Sequence, residues 1–239
     1  MKDRNEPDSN TATADGGAPL SRRQALAAGV LVAAGDVASA QGLSAAGDGP
    51  DGSVALAKGP ANAVEFRARF VQTGASGQDF TAFGYLTRVA GLSDAELFAS
   101  TSQNETTALL TAYASGSLTK RTLDQSVHSL DVEGALNVYA RDAAGASWAN
   151  PDSFRQGTAV AVFELNLQDI LSVILPAQGI PTLTGSMRQT VAGRLGGSPG
   201  RRFGRPASQA RLFATGVGRL VDPVTLNAAL EMAGNWVVG

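Results

Sequence analysis

Cysteine is absent, and histidine occurs once, at position 128. These two gaps exclude a disulfide scaffold, a thiol nucleophile, a cysteine-ligated metal centre and any metal site built from several histidines of one chain. Charged side chains make up only 17% of the 239 residues, against roughly 25% in an average soluble protein. A net charge of −2 gives no electrostatic footprint for wrapping nucleic acid. The chain also lacks a G-K-[ST] phosphate loop. No cofactor is implied by any of this. Glycine, by contrast, is abundant at 28 residues.

The first twenty residues are polar and without apolar periodicity, so they cannot bury enough surface to offset their ordering entropy. Ser21-Arg22-Arg23-Gln24-Ala25-Leu26 follows, then an uncharged run to Gly35, then Ala38-Ser39-Ala40. That run is too short for a membrane span, which takes about 20 apolar residues. It suits the apolar region of a signal peptide, with small residues where cleavage occurs. The segment resembles a twin-arginine export signal, whose pattern is S/T-R-R-x-F-L-K. Ser21, Arg22, Arg23 and Leu26 match, whereas Ala25 and Ala27 replace the aromatic and the lysine. The resemblance implies passage through the twin-arginine translocation machinery, cleavage after Ala40, and a periplasmic or extracellular location typical of an exported bacterial protein. Residues 41–60 are rich in Gly, Ala, Asp and Ser and read as a linker. The folded domain is expected over 61–239, with no transmembrane span.

Val64–Phe70 alternates strictly, with Val64, Phe66, Ala68 and Phe70 on one face and Glu65, Arg67 and Arg69 on the other. That is the signature of a half-buried strand. Further strands are expected at 80–89, 106–114, 118–123, 126–132, 135–141, 158–170, 171–175, 183–191, 210–221 and 226–238. The stretches 135–141 and 158–170 should form an antiparallel pair. Ser93 and Glu96 have capping-box spacing for one helical turn over 94–99. Glycine stands two positions before an apolar residue at Gly84/Leu86, Gly116/Leu118, Gly134/Leu136, Gly185/Met187, Gly193/Leu195 and Gly218/Leu220. Glycine in strands marks bends and close backbone approach, which closed sheets need.

Many short strands and few helices predict an all-β fold, an antiparallel barrel or alternatively a sandwich. In general architecture the chain resembles secreted barrels of the lipocalin and allene-oxide-cyclase kind, without their motifs.

Candidate chemistry is sparse. His128 should face away from Asp131 and Glu133 on a strand. Ser117-Leu118-Thr119-Lys120 spells S-x-x-K, but on a strand and without its partner motifs. Glu65, Glu133 and Glu164 sit in strands and would do acid–base work only if they converged in a cavity. Trp148 and Phe154, on the long 142–157 connection, are candidates for lining a ligand mouth. Residues 41–187 carry a net charge of −6 and residues 188–239 a net +5. The basic part includes Arg194, Arg201, Arg202 and Arg205, candidates for an anionic partner such as an envelope component. Three functions fit: a non-catalytic binding module for an apolar or amphipathic ligand or a surface partner, a barrel isomerase or hydrolase using strand carboxylates, and a structural envelope protein. The first is the preferred expectation.

Overall fold

Alternation of apolar and polar residues builds eight strands, and their pairing closes a ring. The computed structural model describes residues 63–74, 77–195, 201–221 and 227–239; the export signal (Arg22, Arg23, Leu26, cleavage after Ala40) and the linker lie outside them. The strands are β1 (Ala63–Thr73), β2 (Asp79–Val89), β3 (Leu110–Asp124), β4 (Val127–Ala140), β5 (Thr158–Leu175), β6 (Ala177–Ala192), β7 (Gln209–Val221) and β8 (Ala229–Val238). Each pairs antiparallel with its sequence neighbours, and β8 pairs with β1. The result is a closed barrel without free edges, so the sandwich is excluded. One short helix, α1 (Asp94–Leu97), and a 3-10 turn at Pro151–Arg155 interrupt the connections. No helix among the described residues is long and apolar enough to cross a membrane.

The phase of β1 is as expected: Val64 and Phe70 are buried, whereas Arg67 is exposed. The antiparallel pairing of 135–141 with 158–170 is present as β4 with β5, in a register that sets Leu136 against Phe163. Other boundaries differ. The stretches expected at 106–114 and 118–123 form one strand, β3, and those at 126–132 and 135–141 form one strand, β4. Gly116 and Gly134 are the reason. They face each other across the β3–β4 ladder on the inner side of the wall. A Cβ on Gly116 would lie 2.1 Å from the Glu133 carbonyl oxygen. The absent side chains let the wall coil tightly where a break was expected. Similarly, 158–170 and 171–175 run together as β5.

Inward side chains fill the lumen. Phe70 and Phe80 stack at 4.9 Å between centroids, and Trp236 packs against Phe66 and Phe163. An apolar void of about 70 Å³ remains among them. A second cluster lies outside the wall. Phe83 and Tyr85 point outward from β2, yet both are buried. Phe98, Trp148 and Phe154, carried on the two long connections, cover them. Thr111 Oγ1 donates to the Phe154 carbonyl at 2.7 Å and pins that cover to β3.

Candidate functional site

The barrel has two dissimilar ends. β1 and β5 begin at one end, together with residues 193–195 and 201–208 and the last residue of β8. This end holds a mouth of about 550 Å³. Its floor is apolar: Val64 from β1, Phe163 from β5, Val238 from β8, and Leu92, Leu195 and Phe203 from the connections. Its rim carries Arg201, Arg202 and Arg205.

One buried side chain holds the rim in place. Gln189, on the inner face of β6, is 1% exposed. Its Nε2 donates to the carbonyls of Phe203 (2.6 Å) and Val191 (2.9 Å). Its Oε1 accepts from the Arg205 backbone N–H (3.1 Å) and the Ser208 hydroxyl (3.2 Å). Gly204 sits against this amide at φ +69°, and a Cβ there would lie 2.1 Å from Oε1. Only glycine meets both demands. The Gln189 backbone closes the grip, its carbonyl accepting from Ala207 N–H and its N–H donating to the Ser208 carbonyl.

The three rim arginines are not equivalent. Arg201 is committed: it pairs with Glu96 at 2.5 Å and donates to the Gly91 carbonyl. Glu96 is also the capping residue of α1, accepting from the backbone N–H and the hydroxyl of Ser93. Those Ser93 bonds first, and Arg201 after them, lower the Glu96 pKa. Arg202 and Arg205 form no ion pair among the described residues. Arg194 is exposed and bridges to Arg202 through the backbone, outside the mouth. The arrangement offers an apolar bed with two cationic forks beside it, which suits a carboxylate or phosphate on an apolar body.

Trp148 and Phe154 are not at the mouth. Phe154 is wholly buried in the outer cluster. Trp148 borders a groove of about 420 Å³ on the outer wall. Arg69 lies 4.8 Å over the Trp148 ring, and both Arg69 and Arg219 pair with Glu231. Two of the three cations at that groove therefore share an acidic partner, whereas Arg67, also in its lining, forms no ion pair among the described residues.

The strand carboxylates do not converge. Glu65 pairs with Arg88 and Glu164 with Arg188, and both point outward, as does exposed Glu133. His128 stands on the inward register between Leu123 and Leu171, away from Asp131 and Glu133. Ser117 Oγ donates to Asp79 on the outer wall, and Lys120 is exposed beyond a bulge. No group of three or more potential metal ligands occurs among the described residues.

The inward carboxylate is Asp169, which the sequence reasoning passed over. It continues the series Phe163, Leu165, Leu167 on the lumen face of β5, in register with Leu130 and Leu183. It is 3% exposed, and neither carboxylate oxygen makes a hydrogen bond of ordinary geometry. Burial pushes its pKa from 3.8 up to about 6, and the nearby Thr182 backbone N–H offsets only part of that. Strict alternation is the signal that would have found it.

No protein-family model matches the chain, and no curated protein or solved structure is significantly similar to it.

Proposed function

We propose that the chain is an exported, non-catalytic barrel that binds an amphipathic anion at the mouth. The apolar part lies on Val64, Phe163, Phe203 and Val238, and the head group meets Arg202 and Arg205. The observation that carries this reading is the conjunction of a mouth of about 550 Å³ with an apolar floor and two rim arginines that have no acidic partner among the described residues. Charge-assisted bonds to those forks supply orientation, and burial of the apolar part supplies most of the affinity. Export through the twin-arginine machinery rests on Arg22 and Arg23; replacing both with lysine should retain the protein in the cytoplasm, and unchanged export would sink that assignment.

The binding test is a titration with decyl phosphate, decanoate, decanol and inorganic phosphate. Trp236 serves as reporter, because its ring contacts Phe163 at the floor of the mouth. The two alkyl anions should bind at least about tenfold more tightly than decanol or inorganic phosphate, a difference of one good charge-assisted contact. Reversing both cations, Arg202→Glu with Arg205→Glu, should erase that preference. A wild-type chain that binds none of the four, or a reversed chain that binds decyl phosphate as well as wild type, would falsify the proposal.

A further inference from the structure

The opposite end of the barrel has a different character. Here β3–β4 and β5–β6 are the long hairpins. Leu118–Asp124 of β3 runs on past the last β2 pair, Asp79↔Ser117. The β5–β6 ladder continues to Leu175↔Gln178 at the tip of its turn. Of the nine large apolar side chains that are exposed among the described residues, five sit at this end of the two hairpins: Leu123, Val127, Ile174, Leu175 and Ile180. Ile174 and Leu175, at the tip, are 57% and 58% exposed. Val127, Ser172 and Ile180 are consecutive cross-strand neighbours on the outer face, so the two hairpins adjoin there, whereas Leu123 stands on the inward register. Isolated exposed apolar residues are ordinary, but a contiguous apolar surface marks an interaction site.

The occupant is read from charge and backbone pairing. From Ile170 to Met187 the chain has no charged residue. That stretch covers the tip and much of both β5 and β6. A partner protein recognised through complementary charge would find none on that stretch itself. Hydrocarbon demands two things of a segment that enters it: no charge, and backbone polar groups paired within the protein. The strands of the β5–β6 tip meet the first, and their ladder, which continues to Leu175↔Gln178 past a bulge at Ile174, largely meets the second. Among the described residues, Arg219 of β7 stands in register with Gln178 and Asp124 in register with Val127, where a polar head-group layer would meet them.

We propose that the β5–β6 tip, flanked by Leu123 and Val127, docks on a phospholipid bilayer by shallow insertion of Ile174 and Leu175. Insertion is driven by apolar burial, so it requires neither anionic lipid nor low salt. The mouth for the amphipathic anion lies at the other end of the barrel and stays open to solvent while the tip is inserted.

The test uses the full chain with vesicles of zwitterionic phosphatidylcholine. In Leu175→Trp, vesicles should add a blue shift that wild type lacks, and lipids brominated along the acyl chain should quench the new emission. Ile174→Asp and Leu175→Asp, at exposed positions that do not threaten the fold, should each lower vesicle partitioning by about tenfold, the worth of burying one such side chain. Partitioning should be the same on phosphatidylglycerol vesicles and in 0.5 M salt. Three results would overturn the proposal. One is a Leu175→Trp emission indifferent to vesicles. Another is binding that needs anionic lipid and vanishes in salt. The third is a concentration-dependent dimer, seen by sedimentation, that the same aspartate variants dissolve.

Discussion

Two buried polar side chains stand at opposite ends of this barrel and are treated in opposite ways. Gln189, at the mouth, is 1% exposed and has four hydrogen bonds through its amide. Asp169, toward the far end, is 3% exposed and has none of ordinary geometry. Burial is the same, but its consequences are not. A satisfied polar group in a low-dielectric interior specifies one arrangement of its neighbours, and an unsatisfied one costs stability. At the mouth, residues 203–208 are therefore gripped by one glutamine. The far end carries a stored penalty instead.

The largest expected effect breaks the satisfied member. Gln189→Leu removes four hydrogen bonds and strands the Phe203 carbonyl and Arg205 N–H in the interior. At about 1 kcal/mol for each bond, the loss should approach about 4 kcal/mol. Urea unfolding measures it. The mouth connection should also become trypsin-sensitive, with cleavage after Arg201 or Arg202 under native conditions. A variant as stable and as resistant as wild type would remove Gln189 from its place as the clamp.

The second prediction concerns Asp169. Its folded pKa of about 6 lies above the unfolded 3.8, so the folded state binds the proton more tightly. The stability this confers is complete below about pH 4. It is lost as pH rises through 6, because the ionised carboxylate must then remain in an apolar lumen. The shift corresponds to about 3 kcal/mol between the two limits. Unfolding free energies at pH 4 and pH 7 should show that decline in wild type, and Asp169→Asn should remove most of it. A decline that persists in the variant would locate its source elsewhere.

How much of this contrast was legible in the sequence differs between the ends. Alternation from Val64 to Phe70 sufficed for β1, and the pairing of β4 with β5 followed from composition and turns. The same alternation reaches Asp169 after Leu165 and Leu167, so the buried acid was readable by parity alone. The glycines were harder. Gly116 and Gly134 announce that something bends, but a missing Cβ marks equally a break in a strand and a place where two strands crowd together. Only their mutual position across the ladder decides. Trp148 and Phe154 were visible as aromatics on a long connection. Their destination depends on Phe83 and Tyr85, which face outward from β2 and need a cover. Apolar residues on both faces of 80–86 were the available sign of that.

The third prediction returns to the mouth and separates arginines that charge counting cannot. Arg202→Glu with Arg205→Glu should abolish the preference for alkyl anions while leaving the unfolding midpoint near that of wild type. Neither side chain has an acidic partner to lose among the described residues. A large drop in midpoint would mean that these cations hold the fold instead.

The smallest effect belongs to Arg201, and it makes the sharpest use of the comparison. Arg201 shares the rim with Arg202 and Arg205, yet its guanidinium is spent on Glu96 and the Gly91 carbonyl, more than a hundred residues away in sequence. A surface ion pair of this kind stabilises little and is screened by salt. Arg201→Ala should therefore leave the unfolding midpoint close to that of wild type, and the remaining difference should fade in 1 M sodium chloride. Affinity for decyl phosphate should change far less than in the Arg202/Arg205 variant. If Arg201→Ala instead weakened binding as much as that variant does, the bridge to Glu96 would have to open when the anion arrives. All three rim cations would then belong to one site.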